Sequence, residues 1–320
     1  MDILLTGAAG WLGRFLKPML EAAGHRACGL DVAASPWTDV MGSVADRPLV
    51  DHLFAERRFD AVIHSGALHK PDIARYPAQA FVDVNVTGTL NLLEAAQAAG
   101  ASRFVFTSTT SLMISQAIRE GKAGEAAWLD ESSGPLIPRN IYGVTKLAAE
   151  GLCRVASADH GLPCIVLRTG RFFPEDDDTL TEPSGENLKA NEFLNRRLTV
   201  EDAAAAHLAA LDKAPEIGFG LYIVSAPPPF DRADAGALAT DAAAVIARRF
   251  PDAPRLYAER GWSLPAMIDR VYDSRRIERE LGFRFKTDFA AILAALRNDG
   301  PMPYAHDPSY TSPQEAVRLA

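Results

Sequence analysis

Short apolar runs alternate with amphipathic stretches through the first 170 residues of the chain. The runs Ile3–Leu5, Ala27–Leu30, Ala61–His64, Phe104–Thr107 and Cys164–Leu167 read as strands. Between them apolar positions recur at helical spacing, most clearly over Gly13–Ala23, Pro48–Ala55, Gly88–Ala99 and Tyr142–His160. Strands this short and this apolar suit a parallel sheet covered on both faces. The alternation predicts an α/β fold, a doubly wound parallel sheet with ligands at the carboxyl ends of its strands.

The pattern changes after Arg168. Residues 173–191 are polar and rich in Glu, Asp, Pro and Gly, which predicts a loop beside the active site. Leu198–Leu211 is a strong helical run and Leu221–Ser225 one more strand, ended by the cluster Pro227-Pro228-Pro229, which cannot continue a ladder. Helices are expected around Gly236–Arg249 and Asp288–Arg297, and the weakly periodic tail 299–320 is expected to wrap the surface or a second subunit. The expected division is residues 1–168 as a dinucleotide-binding domain, joined again by the strand near 221–225, with 169–320 mostly a smaller substrate-binding cap. No internal repeat is visible.

Composition narrows the function classes. With 33 basic and 41 acidic residues the net charge is −8, and no long single-sign run is present, which argues against nucleic-acid partners. The three cysteines, Cys28, Cys153 and Cys164, lack metal-ligand spacing, so no metal is expected and they read as reduced, buried thiols. Neither a secretory leader nor a spanning apolar run is read, so the expected protein is cytoplasmic and free of membrane.

The chemistry concentrates in two places. Gly7, Gly10 and Gly13, in Thr6-Gly-Ala-Ala-Gly-Trp-Leu-Gly13, follow a strand and open a helix. In that context small residues let the backbone approach a pyrophosphate, while the helix N-terminus supplies N–H groups and positive potential. This makes the sheet Rossmann-type. Asp31 ends the second strand, 21 residues after Gly10. A carboxylate there accepts both adenosine ribose hydroxyls and repels a 2′-phosphate, favouring NAD over NADP.

Tyr142 and Lys146, four apart, share a helix face. A neighbouring ammonium is expected to lower the tyrosine pKa and make its phenolate a general base. The hydroxyl cluster Thr107-Ser108-Thr109-Thr110-Ser111 closes a strand, with Thr109 lying 33 residues before Tyr142. A hydroxyl at a strand end can bind a substrate oxygen as its charge develops.

These residues resemble the extended short-chain dehydrogenase/reductase superfamily, in its NAD-dependent epimerase/dehydratase branch, and the likeness covers nearly the whole chain. The Gly7–Gly13 turn, with Trp11 and Leu12, looks like the family's cofactor turn. Val62-Ile-His-Ser-Gly-Ala67 matches the strand that usually reads Val-x-His-x-Ala-Ala, which places Ser65, Gly66 and Ala67 under the cofactor. Asn85 falls on the family's structural asparagine, Thr109 on the catalytic Ser/Thr, Tyr142 on the base and Lys146 on its partner; Thr107 and Ser108 border the cofactor. Leu198-Thr-Val-Glu-Asp202 and Tyr272-Asp-Ser-Arg-Arg-Ile-Glu-Arg-Glu-Leu-Gly282 resemble later family motifs.

Departures from the pattern are informative. Family members commonly carry Gly-Asp before the adenine-binding hydrophobic residue, whereas Gly42 is followed by Ser43 and Val44. Val200 comes only 32 positions after Arg168, shorter than the insertion with which nucleotide-sugar epimerases clamp the nucleotide. That short segment and Arg168-Thr-Gly-Arg-Phe-Phe-Pro-Glu175 look more like uronate dehydrogenases, which bind a small free sugar acid.

The leading expectation is therefore an NAD-dependent oxidoreductase of carbohydrate metabolism, acting on a secondary hydroxyl of a small sugar, sugar acid or related alcohol. Arg171, or the pair Arg196 and Arg197, could receive a substrate carboxylate or could equally pair with the acidic loop Glu175–Asp178. His69 and Thr110 are further candidate substrate contacts. The alternatives are a nucleotide-sugar epimerase with tightly held NAD, less so a dehydratase, and a dinucleotide-sensing protein without turnover. The resemblance implies a homodimer through the helices starting near Gly88 and Tyr142; Leu92, Leu93, Leu147 and Leu152 suit that face or the sheet.

Overall fold

The structure is a computed structural model that describes every residue except 122, 123, 177–182, 184, 314 and 316–320. Its main sheet has seven parallel strands: β1 (Asp2–Thr6), β2 (Arg26–Asp31), β3 (Val40–Met41), β4 (Ala61–His64), β5 (Arg103–Thr109), β7 (Cys164–Thr169) and β8 (Phe219–Val224). They stand in the order β3-β2-β1-β4-β5-β7-β8. A separate parallel pair joins β6 (Ala127–Leu129) to β9 (Arg270–Tyr272).

Alternation along each strand divides the apolar core between two faces. Ile3, Leu5, Ile63, Val105, Ile165 and Leu167 pack under the helices Gly13–Ala22 and Val200–Ile217. Leu4, Val62, Phe104, Phe106 and Val166 pack under Arg47–Glu56, Gly88–Ala98 and Ile141–His160. Both faces are covered, which is why the strands carry no polar alternation. The order reverses between β1 and β4, so the chain leaves in opposite directions there and opens a crevice at the strands' carboxyl ends.

The second half of the chain serves both this sheet and a smaller apolar cluster. Val200–Ile217, β8 and the helix Arg275–Leu281 belong with the sheet. Phe193, Leu238, Val245, Leu256, Phe289 and Leu293 form the core of the other cluster. The expected loop 173–191 differs: Gly185–Glu192 is a helix. Its Asn187 and Asn191 are buried and bond the Ser263 backbone, so polar residues occupy positions that would otherwise be apolar.

Leu92 and Leu93 pack on the sheet, with Leu152 partly buried against the same cluster and Leu147 against a smaller one. The apolar side chains left outside on those helices are Leu90, Val144 and Val155, at 38%, 48% and 50% exposure. The three cysteines are buried and unpaired. Among the described residues no helix is long and apolar enough to cross a membrane.

Candidate active site

A cleft of about 800 Å³ runs along the carboxyl ends of the strands, from the glycine turn to Thr109, Tyr142 and Arg270. At one end the turn after β1 is backbone packed on backbone. Gly7 has φ +74°, and a Cβ there would sit 2.7 Å from the Gly66 nitrogen. A Cβ on Gly13 would come within 2.3 Å of the Gly7 carbonyl oxygen. Gly10 is different: it lines the cleft, and an added Cβ would meet only the Gly7 oxygen, at 3.3 Å. The protein itself requires Gly7 and Gly13, while the space kept open at Gly10 faces the cleft, as close approach of a pyrophosphate requires.

Leu12 and Gly13 do not line the cleft. They stand at the N-terminus of Gly13–Ala22, where Arg14 N already donates to the Gly10 carbonyl at 3.2 Å and Phe15 N to the Leu12 carbonyl at 3.1 Å. Trp11 lines it, with its Nε1 buried and without a partner among the described residues. Asp31 ends β2; its Oδ2 accepts from the Ala9 amide at 3.0 Å and its Oδ1 from Ala33 at 2.9 Å. Burial raises its pKa against those amides. Ser43 and Val44 line the cleft, and the Val44 carbonyl is held by Asn91 Nδ2 at 3.0 Å. Ser65, Gly66 and Ala67 line it after β4; Ser65 donates to the Thr6 carbonyl at 2.7 Å, and the Gly66 amide to Thr6 Oγ1 at 3.1 Å.

Asn85 lies behind the wall, on the π-helical turn Val82–Thr87. It accepts from the Leu68 amide at 2.9 Å and donates to the Leu68 carbonyl and to Thr145 Oγ1. It thereby ties the loop after β4 to the helix that carries Tyr142 and Lys146.

The end of β5 sorts its hydroxyls. Thr107 lies 2.7 Å from His207 Nε2. Since His207 Nδ1 faces the Ala203 carbonyl, Nδ1 is the protonated nitrogen and Nε2 accepts from Thr107. Burial holds His207 down to about 4. Ser108 donates to Glu150 Oε1 at 2.6 Å, and Glu150 is itself paired with Arg168 at 2.7 Å in the core. Thr110 donates to the Thr169 carbonyl at 3.3 Å. All five residues from Thr107 to Ser111 line the cleft, and Thr109 is hydrogen-bonded to Tyr142.

Tyr142 and Lys146 enter the same cleft from the first turns of Ile141–His160, which Asn140 caps by accepting from Gly143 N at 3.0 Å. The ammonium of Lys146 sits 4.1 Å from the Phe106 ring centroid. The expected pKa lowering of Tyr142 by Lys146 is not what the chain alone produces. Burial pushes Tyr142 up to about 12, with the Thr109 hydrogen bond pulling against it, and holds Lys146 down to about 7. Both groups thus favour their neutral forms. His69 packs tilted against Tyr142 at 5.9 Å and edge-on to Phe173 at 5.7 Å, and burial lowers its pKa against the pull of Asp72.

The arginines meet a partner that sequence reasoning missed. Glu192, fully inside the protein, pairs with Arg171 at 3.3 Å, Arg196 at 3.0 Å and Arg197 at 2.7 Å. Arg171 bridges Arg197 as an isolated β-bridge, which draws the segment after Gly185–Glu192 against the end of β7. Arg171 and Arg196 line the cleft; Arg197 is 1% exposed behind it. Of the acidic loop expected to hold them, Asp177 and Asp178 lie outside the described residues, and Glu175 and Asp176 line the cleft. Glu150 and Glu192 gave no sequence signal, since both stand among other charges without any motif.

The tail also reaches the cleft. Tyr310 packs edge-on against Trp11 at 5.1 Å, and Glu315 pairs with Arg75 at 2.9 Å. Arg14 lies over Trp11, Trp37 and Tyr310, at 5.2, 5.2 and 5.5 Å. The arrangement thus joins a glycine cradle suited to a dinucleotide with a phenol, a hydroxyl and an amine that can pass a proton, beside a guanidinium wall.

Comparison with known proteins agrees with this geometry. A family model described as NAD dependent epimerase/dehydratase family matches residues 3–186. The low-salt glycan biosynthesis protein Agl12 of Haloferax volcanii is 33% identical over 188 residues, 54% of this chain and 57% of that protein. A UDP-glucose 4-epimerase of Azospirillum brasilense is 31% identical over 177 residues, 52% of this chain and 47% of that enzyme. In both, the chain spans about half the length of the relative it matches. A solved structure described as a mutated uronate dehydrogenase superposes with a TM-score of 0.62 at 18% identity, over 99% of this chain and 97% of that one. That last likeness is one of fold.

Proposed function

The chain belongs to the NAD dependent epimerase/dehydratase family, and on that premise we propose that it is an NAD-dependent oxidoreductase acting at a secondary hydroxyl of a small sugar, sugar acid or related alcohol. The observation that carries this reading is the meeting of Thr109, Tyr142 and Lys146 in the cleft that begins at the glycine turn. Gly7, Gly10, the turn through Trp11 and Leu12 that opens Gly13–Ala22, and Asp31 would hold the dinucleotide. When bound, NAD supplies the hydride acceptor and the positive charge of its oxidised nicotinamide ring.

Thr109 orients the substrate oxygen by hydrogen bonding. Tyr142 takes the hydroxyl proton as the C–H hydrogen leaves carbon with its electron pair, so an alcohol becomes a carbonyl. Lys146 would donate to the nicotinamide ribose and, when protonated, would favour the Tyr142 phenolate that burial alone opposes. Arg171 and Arg196 receive a substrate carboxylate.

Absorbance of NADH, followed with uronic acids, aldoses and polyols, tests the reading. Net NADH formation that Tyr142→Phe reduces on the order of 100-fold or more supports it. The identity with a UDP-glucose 4-epimerase favours a second reading, in which hydride returns to the same sugar. Absence of net NADH, with NAD retained through purification and turnover of a nucleotide sugar, would establish that one instead.

A further inference from the structure

We propose that Tyr272, with Arg270 as its positioning residue, gives a hydrogen bond from its hydroxyl to a carboxylate of the substrate beside Arg196, and so selects an acid over a neutral sugar of the same shape. This rests on the reading of the cleft as the site of a small hydroxylated substrate.

Tyr272 and Arg270 both line the cleft, at 2% and 4% exposure. They stand two apart on β9 and share one face of it, while Val271 between them turns the other way into the apolar cluster of Phe193 and Leu238. The Tyr272 ring packs with Leu112, Met113, Leu129 and Ile223. Leu112 and Met113 belong to the turn that directly follows Thr109, so the phenol is fixed to the segment that carries that hydroxyl. The arginine wall is spliced to the same strand. Asn195, the neighbour of Arg196, donates through Nδ2 to the Arg270 carbonyl at 2.8 Å, and its own carbonyl accepts from the Tyr272 amide at 3.1 Å. Arg196 therefore enters the cleft from the junction that Asn195 makes with Arg270 and Tyr272.

Donors outnumber acceptors at this junction. Arg270 directs Nη1 to Asp269, and its Nε donates to the Tyr272 hydroxyl oxygen at 3.2 Å. Among the described residues the Tyr272 hydroxyl proton has no acceptor, and neither has Arg270 Nη2. A buried phenol ordinarily finds a partner, and leaving one without is costly. Glu192 is already committed to Arg171, Arg196 and Arg197. Glu175 also lines the cleft with its Oε2 buried and unpaired, but among the described residues no hydrogen bond or ion pair joins it to β9. Two donors side by side, one of them cationic, match the two oxygens of a carboxylate, and such charge-assisted bonds are roughly twice as strong as neutral ones. A neutral hydroxyl would bring a further proton to a junction that already lacks acceptors.

Calorimetric titration of the NADH-saturated protein tests this with D-glucuronate, D-glucuronamide and D-glucose, which share a ring and differ at the terminal carbon. Glucuronate should bind on the order of ten- to a hundred-fold more tightly than the amide or glucose. Tyr272→Phe keeps the ring in its apolar cluster and removes only the hydroxyl. It should take away most of that advantage and leave the affinities for the amide, glucose and NADH within about twofold of wild type. Arg270→Lys keeps the charge and loses the Nε bond; it should narrow the same ratio of acid to amide, which a purely structural role would leave unmoved.

Equal affinities of the wild type for glucuronate and glucuronamide would overturn the proposal, as would absence of glucuronate binding. So would a Tyr272→Phe variant that holds glucuronate as tightly as wild type, or that weakens all three sugars alike. Glucose 6-phosphate binding more tightly than glucuronate, with the same dependence on Tyr272, would overturn it in favour of a phosphate. Failure of the oxidoreductase reading is visible separately, as absence of NADH formation, because the preference for an acid is read from binding alone.

Discussion

The three glycines of the turn after β1 share a motif but not a reason. Gly13→Ala would drive a Cβ to 2.3 Å from the Gly7 oxygen and 2.6 Å from that of Ala8, and should cost roughly 1–3 kcal/mol of stability, read from the urea midpoint. Gly10→Ala should leave that midpoint within about 1 kcal/mol yet weaken NADH binding about tenfold or more, measured by fluorescence titration. Equal effects on stability would show that Gly10 serves the fold and not a ligand.

Lys146 makes a pH-dependent contribution with a defined sign. In the unfolded chain it titrates near the ordinary lysine value of 10.5, and in the folded protein burial holds it down to about 7. Between those values the unfolded state binds a proton that the folded state does not, so stability rises with pH across the window; below about 7 both states are protonated and the full cost is present. With no dinucleotide added, Lys146→Met should therefore raise the Tm at pH 6 and lose that gain as pH approaches 10. A gain independent of pH would show that packing, and not charge, is responsible.

At the scale of elements, the helix Gly185–Glu192 shows where periodicity fails. Asn187, Leu188, Lys189, Ala190, Asn191 and Glu192 are all buried, so polar and apolar residues share its inner faces and no amphipathic stripe marks it. Its last residue holds three guanidinium groups. Burial alone would raise the Glu192 pKa, but Arg196, Arg171 and Arg197 together hold it below the usual value. Glu192→Gln removes the counter-charge and should destabilise the protein by about 3–5 kcal/mol, seen as a lower urea midpoint. A loss below about 1 kcal/mol would mean that solvent already compensates the arginines. The pair β6–β9 and the short β3 escaped the sequence for a related reason: two- and three-residue strands carry too few positions for a period.

Elements with one clear environment were legible. β4 falls on Ala61–His64, the residues whose apolar run announces it, and the helices Gly88–Ala98 and Ile141–His160 differ from their sequence pattern by one terminal residue. Thr109, Tyr142 and Lys146 were legible because strand-end and helix-face rules fix where such side chains point. The ties of Thr107 to His207 and of Ser108 to Glu150 were not legible, because their partners stand 100 and 42 residues away.

At the scale of the whole molecule, the cleft is shaped by both ends of the chain. Tyr310 meets Trp11 from the glycine turn, Glu315 meets Arg75, and Asp307 N donates to the Pro174 carbonyl at 2.9 Å. Removing residues 307–320 should leave the sheet folded and speed NADH release several-fold, as expected for loss of an edge-on aromatic contact and an ion pair over the site. Stopped-flow displacement measures this, and an unchanged release rate would mean that the tail covers no part of the bound dinucleotide.

By itself the sequence determined the doubly wound sheet, the glycine turn after its first strand and the placing of Thr109, Tyr142 and Lys146 at one cleft. Each of these is written in local spacing: apolar runs, small residues at a strand–helix junction, and residues four apart on one helix face. Only the tertiary structure decided which hydroxyl meets Tyr142, which carboxylate holds the arginines and what lies over the glycine turn. Those depend on pairings across distant parts of the chain, where burial and charge compensation, not periodicity, select the partner.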